Sequence, residues 1–388
     1  MKIKKLLALS LALAMALALA ACGGGSATTT ATPTPTAAAN TYELALITDI
    51  GTIDDKSFNQ GAWEGLVQYA EEHNITHQYY KPTEKSDAEY LNAISLAVEG
   101  GAKLIVTPGY LFESSIYEAQ TLYPDVKFVL LDGQPHTADY KTYEIKDNVY
   151  SIFYAEQQAG FLAGYAAVKD GFTKLGFQGG MAVPAVIRYG YGFVQGAEAA
   201  AKEMGLPEGS ISIKYNYSGD FAATPENQTR AASWYEDGTE IIFACGGAVG
   251  NSVMAAAEAG KDKWVIGVDV DQYAESDTVI SSAMKMLGTS VYNAISDFYN
   301  GSFPGGQIVT LDIAVDGVGL AMDNAKWRTF SAADYQKLHD AMVADTDGIA
   351  SSILTNTVGD TDGNGTADEF SDFLVAANLK YVTITEVK

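Results

Sequence analysis

From Tyr42 onward the chain alternates short apolar runs with longer stretches whose apolar positions fall three and four apart. The apolar runs read as strands: "ELALITD" (43–49), "AKLIVTP" (102–108), "VKFVLLD" (126–132) and "VYSIFY" (149–154). Between them lie helical patterns at 58–73, 87–99 and 114–122. A second set follows, with "KLGFQGG" (174–180), "ISIKYN" (211–216), "EIIFAC" (240–245) and "WVIGVD" (264–269) as strands. Its helices are expected at 189–204, 225–236 and 251–260. Strands alternating with helices predict parallel sheets covered on both faces, an α/β architecture. The series runs twice, so two doubly wound lobes are expected, the hand-over falling near 155–165. "TVISSAMK" (278–285) and "QIVTLDIAVDG" (307–317) read as further crossing segments, which makes the junction a multi-crossover hinge. The predicted division is 42–155 plus about 285–306 for the N-terminal lobe, and 156–284 plus about 307–388 for the C-terminal lobe.

Open α/β sheets bind ligands beyond the carboxyl ends of their strands. Asp49, Asp132 and Asp269 each end an apolar strand, while Gly179-Gly180 and Gly246-Gly247 follow two others. After the first strand, Ser57-Phe58-Asn59-Gln60 has the form of a capping box, with Ser57 at N-cap and Gln60 three residues on. Asp54 and Asp55 precede the positive end of that helix dipole and read as helix-entry charges. Phe58, in the first turn, can fold back into the core or form one wall of a cleft and stack on a planar ligand. Spacing alone leaves both open.

The N-terminus changes the picture. Lys2, Lys4 and Lys5 precede the apolar run 6–21, which is shorter than the ~20 residues that span a bilayer. It ends in Leu19-Ala20-Ala21-Cys22, a lipobox-like site that predicts a lipoprotein signal peptide at 1–21 and acylation of Cys22. Residues 23–41 are almost all Gly, Ser, Thr, Ala and Pro, and read as a tether reaching roughly 60 Å at ~3.3 Å per residue. The expected location is the extracytoplasmic face of the cell membrane, held by lipid. Acylation of Cys22 would leave Cys245 without a disulfide partner, as a buried thiol in an apolar run. A formal net charge of −24 over 388 residues argues against nucleic acid as a ligand.

With these residues in view, "ITDIGTIDDKSFNQGAWEGL" resembles the signature of the basic membrane protein family, lipoproteins that include the purine nucleoside receptors of ABC importers. The resemblance continues through "YPDVKFVLLDG", "AEQQAGFLAGYAA", "KLGFQGGMAVPAVIRYGYGFVQGAEAA", "FACGGAVGN" and "GVDVDQ", covering roughly residues 43–325. It implies a type I periplasmic-binding-protein fold that closes around a nucleoside, expected to be a purine. It also implies a monomer that delivers its ligand to an ABC permease and is not an enzyme. Carried over by position, Asp49 and Asn59 would help hold the base and Phe58 would stack on it. Asp132 would line the cleft, Asp269 and Lys285 would bind ribose hydroxyls, and Gly246 and Gly247 would let backbone approach the ligand. Phe221 best matches the family's second stacking aromatic, with Tyr189 and Tyr191 as competitors. Two other classes stand beside this reading. One is a nucleoside hydrolase with calcium-chelating aspartates at the strand ends. The other is a ligand-sensing surface lipoprotein without a transport role.

One constellation lies outside the resemblance. In "DTDGNGTADEFSD" (360–372), Asp360, Asp362, Asn364, the Thr366 backbone and Asp368 occupy the first, third, fifth, seventh and ninth positions of a calcium loop. The twelfth position is Ser371 rather than Glu, so a structural calcium here competes with an Asp/Gly turn. His73 and His77 stand four apart, but Asn74-Ile75-Thr76 between them is a poor helical stretch.

Overall fold

Two sheets organise the molecule, seen in a computed structural model that describes residues 41–362 and 369–387. The first series runs β1 (Leu44–Ile47), α1 (Phe58–His73), β2 (His77–Tyr80), α2 (Asp87–Glu99), β3 (Leu104–Pro108), α3 (Glu113–Leu122), β4 (Lys127–Leu131) and β5 (Val149–Tyr154). The second runs α4 (Glu156–Lys169), β6 (Lys174–Gly179), α5 (Pro184–Glu203), β7 (Ile211–Tyr217), α6 (Pro225–Glu236), β8 (Ile241–Cys245), α7 (Val249–Glu258), β9 (Trp264–Asp269) and β10 (Val279–Lys285). The chain then returns through α8 (Leu287–Tyr299) and β11 (Gln307–Leu311). It ends with β12 (Val318–Leu320), α9 (Ala332–Val343), α10 (Phe370–Ala377) and β13 (Val382–Glu386).

The first sheet has the order β11-β5-β4-β3-β1-β2, the second β12-β10-β9-β8-β6-β7-β13. Among the described residues, every pairing between these strands is parallel except β10 with β12. Helices cover both faces, so central strands such as β1, β3 and β8 are buried along their whole length. The chain passes between the lobes after Tyr154, after Lys285 and after Leu311. The last passage departs from the expected return at about 306: β11 pairs with β5 from Gln307–Tyr150 to Leu311–Tyr154 and belongs to the first sheet. The run 307–317 therefore breaks into β11, a single turn at Ile313–Val315, and β12.

Helix α4 carries no polar face; it is buried almost all round. Its close partner is α5. A Cβ on Gly164 would stand 1.9 Å from the Phe193 carbonyl oxygen, and one on Gly196 would stand 2.0 Å from that of Phe161. Small residues on both helices allow the backbones to touch. At the far edge, α10 stacks Phe373 on Tyr191 (centroids 3.8 Å apart) and Phe370 on Tyr215 (4.5 Å), while β13 extends the sheet beside β7. His73 ends α1 and His77 begins β2, with left-handed Asn74 between them, so the two do not share a helix. Among the described residues, no helix is long and apolar enough to cross a membrane.

Candidate functional site

The carboxyl ends of β1, β3 and β4 face those of β6, β8, β9 and β10 across a cavity of about 360 Å³. Asp49, Phe58, Asn59, Asp132, Phe221, Gly246, Gly247, Asp269 and Lys285, read from sequence as binding candidates, all line it. Five aspartates and two lysines are among the lining residues, the others being Asp55, Asp220 and Lys81.

The first-lobe wall is built at the start of α1, where the capping box is not what forms. Ser57 occupies the N-cap, but its side chain does not cap. Asp55 does that work: its carboxylate accepts the N–H groups of Ser57 (2.9 Å), Asn59 (3.0 Å) and Gln60 (3.1 Å). Asp55 is thus buried, whereas Asp54 is exposed. Gln60 reaches back only as far as the Lys56 N–H, at 3.1 Å. Freed from capping, Ser57 Oγ donates across the cleft to Asp269 Oδ2 at 2.5 Å. The Asn59 amide nitrogen bridges Asp49 Oδ1 (3.0 Å) and Asp55 Oδ2 (2.9 Å). Asn59 therefore fixes two carboxylates that would otherwise repel. Burial pushes both carboxyls above the usual carboxylate range.

Lys285 is the electrostatic centre. It is 3% exposed, and its Nζ binds Asp132 Oδ2 from the first lobe and lies 2.9 Å from Glu156 Oε1. Glu156 in turn accepts from Arg188 Nε at 2.5 Å. The ammonium also stands 4.9, 5.1 and 5.6 Å from the ring centroids of Phe58, Tyr154 and Tyr189. Burial works against its charge, but Asp132, Glu156 and Asp269 outweigh it and hold Lys285 protonated. Burial would likewise raise Glu156; the Arg188 and Lys285 charges overcome it and set the carboxyl low. Asp132 goes the other way, raised by burial and by the Glu156 charge against the pull of Lys285. Asp269 has Ser57 and a more distant Lys285 for relief, and burial pushes it up to about 6.

Asp132 and Asp269 both adopt positive φ, 57° and 68°. Left-handed backbone is uncommon outside glycine and is tolerated best by Asp and Asn. Here it occurs at a facing strand end in each lobe, and both side chains bond across the cleft. Asp132 Oδ1 is buried with no hydrogen-bond partner.

The aromatic candidates separate. Phe58 is half-buried, stands on the cavity wall and also packs against the core. Phe221 and Tyr189 line the cavity; Tyr191 lies in the core against Phe373. Gly180 seats the Phe221 ring, since a Cβ there would come within 2.4 Å of Cδ1. Gly246 faces Gly180, where its Cβ would lie 2.5 Å from the backbone nitrogen, so packing between strand ends accounts for that glycine. Cys245 lines the cavity as a buried free thiol, its pKa raised by burial.

Glu156, Arg188 and the cross-cleft role of Ser57 are not among the features that the sequence motifs single out. The available signal for Glu156 was a carboxylate heading a helix otherwise devoid of charge until Lys169. Of the calcium-loop residues, Asn364, Thr366 and Asp368 lie outside the described residues. Asp360 and Asp362 come together with Asp372, one position beyond the Ser371 that the loop spacing singled out.

Several known proteins resemble this chain. The family model described as "ABC transporter substrate-binding protein PnrA-like" matches residues 42–348. An ABC transporter nucleoside-binding protein BmpA of Lactococcus lactis is 33% identical over 305 residues, 72% of this chain and 82% of that protein. Basic membrane protein A of Borreliella burgdorferi is 32% identical, covering 72% of this chain and 78% of its own. Among solved structures, an ABC transporter solute-binding protein from Aeropyrum pernix superposes with a TM-score of 0.64 at 24% identity, over 87% of this chain and 85% of that one. A second, from Conexibacter woesei, gives a TM-score of 0.61 at 22% identity, over 79% of this chain and 96% of that one. At these identities the structural likenesses bear on the fold, which is that of the type I periplasmic solute-binding proteins.

Proposed function

The chain belongs to the PnrA-like family of ABC transporter substrate-binding proteins, and from that premise we propose that its cavity captures a nucleoside, with a purine preferred, for delivery to an ABC permease. The observation that carries this reading is the pairing of a half-buried ring, Phe58, with strand-end carboxylates from both lobes on one cavity. A nucleoside offers a flat base to the ring and vicinal hydroxyls to carboxylates. Asp269 and Lys285 are assigned the ribose hydroxyls, with the unpartnered Asp132 Oδ1 as a further acceptor. Asp49 and Asn59 shape the base end, Gly246 and Gly247 form the backbone floor, and Phe221 is the second aromatic, with Tyr189 beside it. Five aspartates against two lysines disfavour a phosphate, so nucleosides are preferred over nucleotides.

The strand-end aspartates do not support a hydrolase reading. Asp49 and Asp55 are tied by Asn59, Asp132 by Lys285 and Asp269 by Ser57, and the carboxylates close enough to share a metal ion, among the described residues, are Asp360, Asp362 and Asp372 instead. Cys22, in residues outside those described, is proposed as a lipid anchor on the extracytoplasmic face, with 23–41 as its tether.

Calorimetric titration with inosine, guanosine, adenosine and pyrimidine nucleosides tests the proposal. Saturable binding of at least one purine nucleoside is expected, with its 5′-phosphate bound more weakly. No heat from any nucleoside at sub-millimolar concentration overturns it. Release of free base during the incubation would assign an enzyme instead.

A further inference from the structure

Far along the chain from the cavity residues, the segment that closes the edge of the second sheet carries a different constellation. Asp360, Asp362 and Asp372 each place one carboxylate oxygen within 4.8 Å of the others. Asp360 and Asp362 are exposed, whereas Asp372, in the first turn of α10, is fully buried. Its Oδ1 accepts the N–H groups of Thr361 (2.7 Å) and Asp362 (2.8 Å), and Thr361 Oγ1 donates to the Asp372 carbonyl at 2.8 Å. The carboxylate is thereby turned toward the loop that bears the other two. Its second oxygen, Oδ2, is buried and has no hydrogen-bond partner among the described residues.

A buried, unpartnered carboxylate oxygen beside two further carboxylates is unfavourable unless a proton or a cation supplies the missing partner. A cation supplies that partner and at the same time offsets the repulsion among three carboxylates whose oxygens lie within 4.8 Å of one another. We propose that Asp360, Asp362 and Asp372 form a calcium site that fastens the C-terminal segment to the second lobe. Three carboxylates provide three to six hard oxygens, and calcium takes six to eight in irregular geometry, the balance coming from water. Magnesium demands a tighter octahedron and surrenders its water reluctantly, so it fits less well. Transition metals would be expected to recruit His or Cys, which this cluster lacks.

The consequence is mechanical. The ion would join the stretch leading out of residues 360–362 to α10, whose Phe370 and Phe373 stack on Tyr215 and Tyr191. Past α10 the chain adds β13 to β7. Calcium would thus hold the terminal helix and strand against the sheet, apart from any ligand in the cavity.

The full chain, stripped with a chelator, is titrated with calcium chloride by calorimetry and heated with and without calcium or magnesium. One calcium per chain is expected. With calcium tenfold above its Kd the melting temperature should rise by about 2 °C, and by about 4 °C at a hundredfold. Asp360→Asn with Asp362→Asn changes only exposed side chains. This pair should abolish the calcium shift while leaving the metal-free melting temperature within about 1 °C. Asp372→Asn keeps an oxygen for the loop N–H groups but loses the charge, and should also abolish the shift. The proposal is overturned by no heat and no shift up to about 10 mM calcium. It is equally overturned by binding that survives the Asp360/Asp362 double variant, or by an equal shift with magnesium, which would mark general screening of the −24 chain.

Discussion

Replacing Lys285 with Met removes the one cation that touches both Asp132 and Glu156. The two carboxylates then fare differently. Glu156 keeps Arg188 at 2.5 Å, but Asp132 is left with no cation in contact, at a position 8% exposed. Removing one partner of a buried pair costs about 3–5 kcal/mol, chiefly because a charge is stranded. Methionine preserves most of the packing against Phe58, Tyr154 and Tyr189, so the loss is electrostatic. Against a total stability of about 5–15 kcal/mol, Lys285→Met should remain folded but be markedly weakened. The measurement is a double-mutant cycle by urea unfolding at pH 7, with Asp132→Asn as the second change. If the stranded charge is the cause, the double variant recovers at least about 2 kcal/mol of the Lys285→Met deficit. The pH dependence has a definite sign. In the variant, burial without Lys285 sets the folded Asp132 pKa above its unfolded value. Its contribution is therefore fully present below the unfolded value and lost as pH rises through the folded one. Asp132 already stands at about 7 with Lys285 present, so the Lys285→Met deficit should stay level from pH 5 to 7 and grow as pH rises above 7. A cost below about 1 kcal/mol, or an Asp132→Asn effect that simply adds to it, would refute the reasoning.

Three further outcomes are expected. Phe58→Ala should weaken nucleoside binding by roughly 1–3 kcal/mol through loss of the stacking face, read by calorimetry; an unchanged Kd would return Phe58 to a core role alone. Asp269, set at about 6, should couple binding to its ionisation. Ligand hydroxyls donate to the carboxylate, so affinity should fall as pH drops through 6, by up to about tenfold per unit, and a Kd flat from pH 5 to 7.5 contradicts that role. Gly164→Ala places a Cβ 1.9 Å from the Phe193 carbonyl, which forces α4 and α5 apart. A destabilisation of about 1–3 kcal/mol or more is expected in denaturant unfolding, and none would mean that the helix pair can slide.

The sequence made the repeating α/β series legible because parallel strands buried on both faces are plainly apolar. Helices α1, α2 and α6 begin and end where the pattern placed them. What it hid has physical causes. Helix α4 is buried all round and so lacks the stripe that marks a helix, and edge strands β2 and β13 are half exposed and polar. Strand β11 depends on which sheet it joins, which no local pattern encodes. At the site, the strand-end aspartates and Phe58 were visible by type and position. The partners that fix them were not: Ser57 and Asp269 are 212 residues apart, and Lys285 and Asp132 are 153 apart. Even the local capping box misled, because Asp55 competes for the same helix-end donors and a buried carboxylate is the stronger acceptor.

These long-range bonds give the cleft a particular logic. The contacts that join the lobes include two kinds of polar pairing. At the rim, Gln272 Nε2 donates to the Lys56 carbonyl at 2.6 Å, and Lys56 Nζ lies 3.6 Å from Glu275. On the cavity wall, the contacts are Ser57–Asp269 and Asp132–Lys285. The rim pair is partly exposed, so it adds little beyond orientation. The wall contacts involve the same carboxylates assigned to the ligand. A carboxylate has about four acceptor sites, and one bond across the cleft leaves the others for ligand donors. Closure therefore aims the carboxylates without consuming them. It also brings Lys285 against Asp132, partly offsetting a cavity of like charges that would otherwise resist closing. On the proposed assignment, a ligand that donated to both Asp132 and Asp269 would bind this arrangement better than one with the lobes apart. That difference in affinity is what can bias the lobes toward the closed form.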